Sequence, residues 1–294
     1  MQLHSSLDKS VNFIEKSLEG FLESRYVRKV GKYFICYLSS QTGCNRGCRF
    51  CHLTATKQTK FQDSQIPDFC AQARDVFKHY KQESPAQYVH FNFMARGEPL
   101  ASKVFQDDAD GIFRALHSLT HHYDADLGIK YNVSSILPNT LTKSLPQIFK
   151  GVHPTLYYSM YSANPEFRAK WLPSALDLDT SLELLQEYQS YSKKIIKIHH
   201  CLIEGENDSE YDAQYLASRL SRLTWEFNLV RYNPFSELQG KESSEETIEN
   251  YLKELKFTGG GNLNDVKVIP RVGVDVFASC GTFPTSEQVK TFHS

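Results

Sequence analysis

An α/β fold, built as a partial (β/α)6 barrel of the TIM type, is what the sequence predicts, and two observations predict it. Apolar runs of strand character alternate strictly with stretches of helical periodicity from Tyr33 onward. Such alternation gives parallel strands joined by right-handed crossovers. Small and polar residues also collect at the C-terminal ends of the predicted strands, the edge where barrels and open α/β sheets bind ligands.

The elements follow in order. Leu7, Val11, Phe13, Ile14, Leu18, Phe21 and Leu22 recur near helical spacing and predict an amphipathic helix over Leu7–Glu23. Arg25, Arg28, Lys29 and Lys32 then mark a basic hairpin, either solvated or a phosphate-contacting edge. Strands are predicted at Tyr33–Leu38, Tyr88–Phe93, Leu127–Val133, Thr155–Met160, Lys194–Ile203, Glu226–Tyr232 and, briefly, Val266–Ile269. Between them, helices are predicted at Ile66–Tyr80, Asp107–His121, Leu141–Phe149, Ser181–Tyr191, Tyr211–Leu223 and Glu245–Lys256. Residues 1–30 thus form an N-terminal helix and hairpin, and residues 31–294 the barrel with a C-terminal cysteine segment.

Composition narrows the class. With 294 residues, 40% hydrophobic and 23% charged, the chain has the make-up of a globular protein with a full core. No apolar run nears the ~20 residues that span a bilayer, and Met1–Ser6 lacks the design of a signal peptide. A cytoplasmic, non-membrane protein is the expectation. Its seven cysteines, an odd number, argue against a disulfide framework and for thiols kept for metal or redox chemistry. A net charge of −1 excludes a globally basic nucleic-acid binder, so RNA affinity requires a local patch.

Directly after the Tyr33–Leu38 strand the chain breaks at Gly43 and presents Cys44, Cys48 and Cys51 in a C-x3-C-x2-C loop. Three soft thiolates on one tight loop suit three irons of a [4Fe-4S] cluster, leaving the fourth iron open. A structural zinc site is the alternative, but it usually shows two paired ligand clusters. No second pair exists, and His52 lies beside Cys51, where it closes the same tetrahedron poorly.

The loop Cys44-Asn45-Arg46-Gly47-Cys48-Arg49-Phe50-Cys51 resembles that of radical SAM enzymes, and Ser39-Ser40-Gln41-Thr42-Gly43 before it is similar to the RlmN/Cfr family of RNA adenosine methyltransferases. Met94–Leu100 resembles that family's Gly-Met-Gly-Glu-Pro-Leu stretch. Tyr157–Tyr161, Leu202–Asp208, Asn233-Pro234-Phe235 and Asp275–Gly281 fall in the family's order. The resemblance implies a radical SAM core that binds S-adenosylmethionine (SAM) on the open iron. Gly97, Glu98, Ser159, Tyr161 and Asn233 would line the cofactor site, with either Asn132 or Ser134 from the third strand.

It further implies that Cys280 takes a methyl group from one SAM and passes its carbon to C2 or C8 of an adenosine in ribosomal or transfer RNA. Cys36 would then resolve the protein–RNA bond through a disulfide, with Glu23 as base, and a flavodoxin or ferredoxin would supply electrons. One offset bears on this. Cys36 precedes Cys44 by eight residues, one more than in the family, while Glu23 precedes Cys36 by thirteen, as the family has it. An inserted residue between Cys36 and Ser39 reconciles both; an insertion elsewhere puts Tyr37 in the partner position. Cys70 and Cys201 match nothing and read as core or neutral positions. Departures lie in the substrate-docking parts: the family's N-terminal accessory domain has no counterpart, Ala95-Arg96 replaces Gly-Met, and Tyr161 replaces a histidine. A peptide or small nucleotide-like substrate is the alternative.

Overall fold

The computed structural model describes residues 1–291. One ten-stranded sheet runs in chain order from β1 to β10. β1 (Gln2–His4), β2 (Val11–Lys16) and β3 (Phe21–Val30) are antiparallel, and β3 pairs antiparallel with β4 (Tyr33–Tyr37). From β4 onward every pairing is parallel, through β5 (Tyr88–Phe93), β6 (Gly128–Ser135), β7 (Thr155–Ser159), β8 (Ile196–His200), β9 (Trp225–Val230) and β10 (Leu263–Ile269). Helices α1 (His52–Ala55), α2 (Ile66–Tyr80), α3 (Lys103–Tyr123), α4 (Leu145–Ile148), α5 (Pro165–Trp171), α6 (Leu178–Ser192), α7 (Glu210–Arg219), α8 (Glu245–Gly259) and α9 (Ser286–Thr291) complete the order. This is the expected α/β architecture, a partial barrel whose edge strands do not pair with each other.

The N-terminal expectation is corrected. Residues 7–23 form no helix; they supply two strands and their turns. Val11–Ile14 are buried on both faces of β2, Val11 and Phe13 in the main core, Ile14 against Phe21 and Val289. A strand covered on both sides reads as a continuous apolar run. Leu7 and Leu18, which supplied the helical spacing, are exposed at 72% and 92%. Residues 1–30 therefore extend the same sheet. The predicted helix at Leu141–Phe149 shrinks to one turn, because Ser144 closes a capping box with Gln147 and Pro146 fixes the start.

The main core lies between the sheet and its outer helices. Phe34, Phe69, Phe77, Phe91, Phe93, Phe105 and Phe113 are 1% exposed or less. Each such side chain contributes about 1.5–3 kcal/mol on burial. That layer holds the strand ends still. Past β10 the chain returns across the gap to the N-terminal strands: Lys29 Nζ donates to Pro270 O (3.3 Å), Gly273 N to Asp8 (2.8 Å) and Asn12 Nδ2 to Val276 O (3.0 Å). This return carries Cys280 over the mouth of the barrel.

Candidate active site

The cysteine loop is set by its backbone bonds. Leu38 N donates to Asn92 O (2.9 Å), Ser40 N to Arg96 O (2.9 Å) and Cys44 N to Gln58 O (3.1 Å). At Gly43 a Cβ would meet Lys60 O at 2.3 Å, so only glycine lets the two strands of the loop approach. Arg49 and His52 are tied by backbone bonds to Trp171 and Gly281. Cys44, Cys48 and Cys51 consequently line one cavity of about 140 Å³, with Phe50, Gly97 and Glu98.

These thiols suit soft metal. Burial pushes Cys44 up to about 12 and raises Cys48 and Cys51, and the neighbouring thiols add to the rise at Cys44 and Cys48. Without a cation such groups stay protonated; a bound metal replaces the protons. Among the described residues no three His, Cys, Asp or Glu could hold a single metal ion. His52 does not complete the set, because its Nε2 lies 3.0 Å from Asn233 O.

The strand ends supply the rest of the first cavity. Gly97 has φ +95°, and a Cβ there would lie 2.7 Å from Gln41 N and Ser40 Oγ. Glu98 is buried, its carboxylate accepting from Leu100 N (3.0 Å) and Ile136 N (3.1 Å). Burial outweighs these bonds and pushes it up to about 7, so it is poised to ionise beside a cation. Ser134 and Ser159 bond each other at 3.1 Å. Tyr161, with φ +56°, lies against Phe50 with ring centroids 4.2 Å apart. The two candidates on β6 fall in different cavities. Ser134 lines the cluster-side cavity, whereas Asn132, deeper on the same face, turns to Asn92 (2.7 Å) in a second cavity.

That second cavity, about 310 Å³, occupies the barrel interior. Arg25, Lys29, Lys197, Arg231, Lys267 and Arg271 line it, and no carboxylate does. Glu226 and Glu242 stand behind them and pair with Lys197 and Lys267, and with Arg231 and Arg271. Cys280 borders both cavities, the one cysteine among the described residues to do so. Its carbonyl accepts from Asn233 Nδ2 (3.1 Å), and its surroundings push the thiol up to about 11.

Two catalytic expectations are corrected. Cys36 is wholly buried in the main core with Phe34 and Leu38, on the face of β4 turned away from Cys280. Tyr33, Ile35 and Tyr37 take the inner face and line the second cavity. β4 pairs with β5 without a bulge from Tyr33 to Tyr37. The irregularity falls between Val27 and Val30 of β3. Because strand side chains alternate, Tyr37 and not Cys36 faces the cavity that Cys280 borders. Glu23 is no free base either: it is fully buried, bonded to Arg25 Nη2 (3.1 Å) and to Arg96 Nε. Burial alone would raise its carboxyl; Arg96 and Arg25 hold it below the usual range.

Arg25 and Arg96 were missed as site residues. Arg25 stands in a basic stretch that reads as a solvated hairpin or a phosphate-contacting edge, yet it is 2% exposed. Glu23 and Arg25, two apart on a strand, share a face, and that spacing was the available signal. Cys201, read as a core position, is indeed buried, but in the wall of the first cavity; Cys70 is half-buried on α2.

This site defines a class: three thiols at the mouth of a partial barrel, facing a buried acid and polar strand ends. Residues 38–214 match the model of the Radical SAM superfamily, and the chain belongs to that superfamily. It is an enzyme using a [4Fe-4S] cluster and SAM. More particularly, the curated proteins it is similar to carry the name of the RlmN RNA methyltransferases. It is similar to a probable dual-specificity RNA methyltransferase RlmN of Clostridium botulinum, 27% identical over 283 residues, which cover 94% of this chain and 76% of that one. The dual-specificity RNA methyltransferase RlmN of Lawsonia intracellularis is 28% identical over 256 residues, covering 85% and 67%. Among solved structures, a radical SAM methyltransferase from Sphaerobacter thermophilus shares the fold at TM-score 0.78 and 19% identity, covering 96% and 79%. No helix of the described residues is long and apolar enough to cross a membrane.

Proposed function

We propose that this enzyme transfers a SAM-derived methyl carbon, by way of Cys280, to an adenosine of ribosomal or transfer RNA at C2 or C8. The observation that carries the reading is the position of Cys280 between the cluster-side cavity and the barrel interior. Cys44, Cys48 and Cys51 would hold the cluster, and Gly97, Glu98, Ser134, Ser159, Tyr161 and Asn233 the SAM. The cluster, when bound, supplies one-electron chemistry on SAM. An ionised Glu98 would meet the SAM ammonium with a charge-assisted hydrogen bond. Tyr161 and Phe50 keep water from the loop.

The RNA reading draws on the names of the relatives and on the second cavity. Its Asn92 and Asn132 amides suit the edge of an adenine. Tyr37 and Tyr157 offer faces for stacking, and the arginines and lysines suit phosphate. A base must leave its stack to reach that cavity. A flavodoxin- or ferredoxin-type donor and a cytoplasmic setting complete the proposal. With Cys36 in the core, no second thiol among the described residues lines this cavity, so an external thiol would take the Cys280 sulfur as a mixed disulfide while the carbon–sulfur bond breaks and the carbon stays on the base.

The test is anaerobic reconstitution with iron, sulfide, SAM, a flavodoxin reducing system and bacterial total RNA. One methyl on Cys280 by peptide mass spectrometry, and methyladenosine in the digested RNA, are expected. A colourless protein that cleaves no SAM ends the enzyme reading. SAM cleavage without methylated Cys280 or methyladenosine favours the peptide or small-molecule alternative.

A further inference from the structure

Behind Cys280 stands a buried charged group whose bonds run mostly to one segment. Glu23, Arg25 and Arg96 are 0%, 3% and 0% exposed at their side chains. Arg25 Nη1 donates to Ser279 O (3.2 Å) and its Nη2 to Thr282 O (2.9 Å). Arg96 Nη2 donates to Pro284 O (3.2 Å). Gln58, which accepts from Arg96 Nη1 at 2.7 Å, donates to the same carbonyl at 3.0 Å. Both guanidinium groups also face the Phe283 ring, at 5.0 and 5.4 Å from its centroid. Asn12 bridges Glu23 (3.1 Å) and Val276 O (3.0 Å). The segment carrying Cys280 is thus gripped on both sides of the cysteine.

We infer that Glu23, Arg25 and Arg96 are positioning residues that clamp residues 279–284 and so hold Cys280 between the two cavities. Burying one carboxylate with two guanidinium groups gains little stability against an apolar packing of the same volume, and what it adds is a defined geometry. Arg96 makes the clamp report on the cofactor side. Its own backbone accepts from Ser40 N (2.9 Å), and it precedes Gly97 and Glu98 in the chain. The turn that lines the first cavity and the strap that carries the thiol are therefore joined through one side chain. The consequence for the reaction rests on the role proposed for Cys280; the clamp itself does not.

Two variants of the full-length reconstituted protein test this, Arg96→Met and Glu23→Gln/Arg96→Met, the second leaving the group's net charge unchanged. Hydrogen exchange is followed by peptide mass spectrometry, alongside the ratio of Cys280 methylation to SAM cleavage. Loss of buried bonds to charged donors should accelerate amide exchange over residues 276–284 by about tenfold or more, with other segments unchanged. The methylation-to-cleavage ratio should fall by a similar factor. Unchanged exchange in 276–284 overturns the clamp, as does acceleration spread over the whole sheet, which would mean general fold support. An unchanged ratio with locally faster exchange overturns the link to Cys280 positioning. If the unsubstituted protein methylates no Cys280, the proposed function fails, while the exchange measurement still decides the clamp.

Discussion

Tyr37 and Cys280 share the barrel cavity, and the tyrosine feels the thiol: burial and the charge of Cys280 push its phenol up to about 12. Cys36, one residue earlier, is on the other side of the sheet among Phe34, Leu38 and the outer helices. A register slip of one residue would exchange the two, but it would also turn every apolar side chain of β4 out of the core. In this sheet Cys36 and Cys280 do not face each other.

Mild oxidation should therefore produce no Cys36–Cys280 disulfide. Peptide mapping without reduction is expected to recover both as free thiols, and Cys36→Ala should leave the fate of any RNA adduct unchanged. Tyr37→Cys, by contrast, should yield an oxidant-dependent disulfide between the introduced thiol and Cys280. A Cys36–Cys280 peptide from the unsubstituted protein would sink this reading of β4.

The cluster assignment separates the cysteines into groups. Cys44→Ala, Cys48→Ala and Cys51→Ala should each abolish the visible absorbance of the reconstituted protein and its SAM cleavage. Cys70→Ala, at a half-buried position on α2 away from both cavities, should retain both. Iron and sulfide content per chain is the check.

Glu98 predicts a pH dependence of cofactor binding. Burial raises its carboxyl to about 7 from 4.5. Below that value the group is mostly neutral, so binding an ammonium releases a proton. SAM affinity should therefore strengthen as pH rises from 5.5 to 7, by up to about tenfold per unit, and the slope should vanish in Glu98→Gln. The folded protein binds this proton more tightly than the unfolded chain does. Between 4.5 and 7 the group thus favours folding at the lower pH, and the contribution declines as pH rises. Isothermal titration across that range decides it.

Glu23 works with the opposite sign. Its carboxyl is held below the ordinary 4.5 by Arg96 and Arg25, against the opposing effect of burial. Its stabilisation is present above pH 4.5 and lost as pH falls through the lower folded value. Glu23→Ala leaves two buried guanidinium groups without their carboxylate and should cost about 3–5 kcal/mol at pH 7. Denaturant unfolding at pH 7 and pH 3 should show that cost shrinking in acid; an equal cost at both values would contradict the pairing.

Much of the fold was legible in sequence because β4 to β10 and their helices are local patterns. α2 and β5 have the predicted bounds, Ile66–Tyr80 and Tyr88–Phe93. The N-terminal strands were not legible. Val11–Ile14 is buried on both faces, and Leu7 and Leu18, exposed in turns, happened to extend its apolar residues at helical spacing. The cofactor side was legible for a similar reason: Cys44, Cys48, Cys51, Gly97, Glu98 and Ser159 lie on short segments at strand ends, where spacing alone brings them to one mouth.

By itself, then, the amino-acid sequence determined the alternation of strand and helix, the three-thiol loop and the presence of Cys280 near the far end of the chain. Tertiary structure alone decided which residue of β4 faces that cysteine, and that Glu23 is buried between two guanidinium groups. Counting residues cannot decide such points. A one-residue bulge between Val27 and Val30 changes the spacing of Glu23 to Ser39 without moving either from its place in the sheet. Alternation along β4 then turns that single residue into opposite faces, one toward the barrel cavity, the other toward packed phenylalanines.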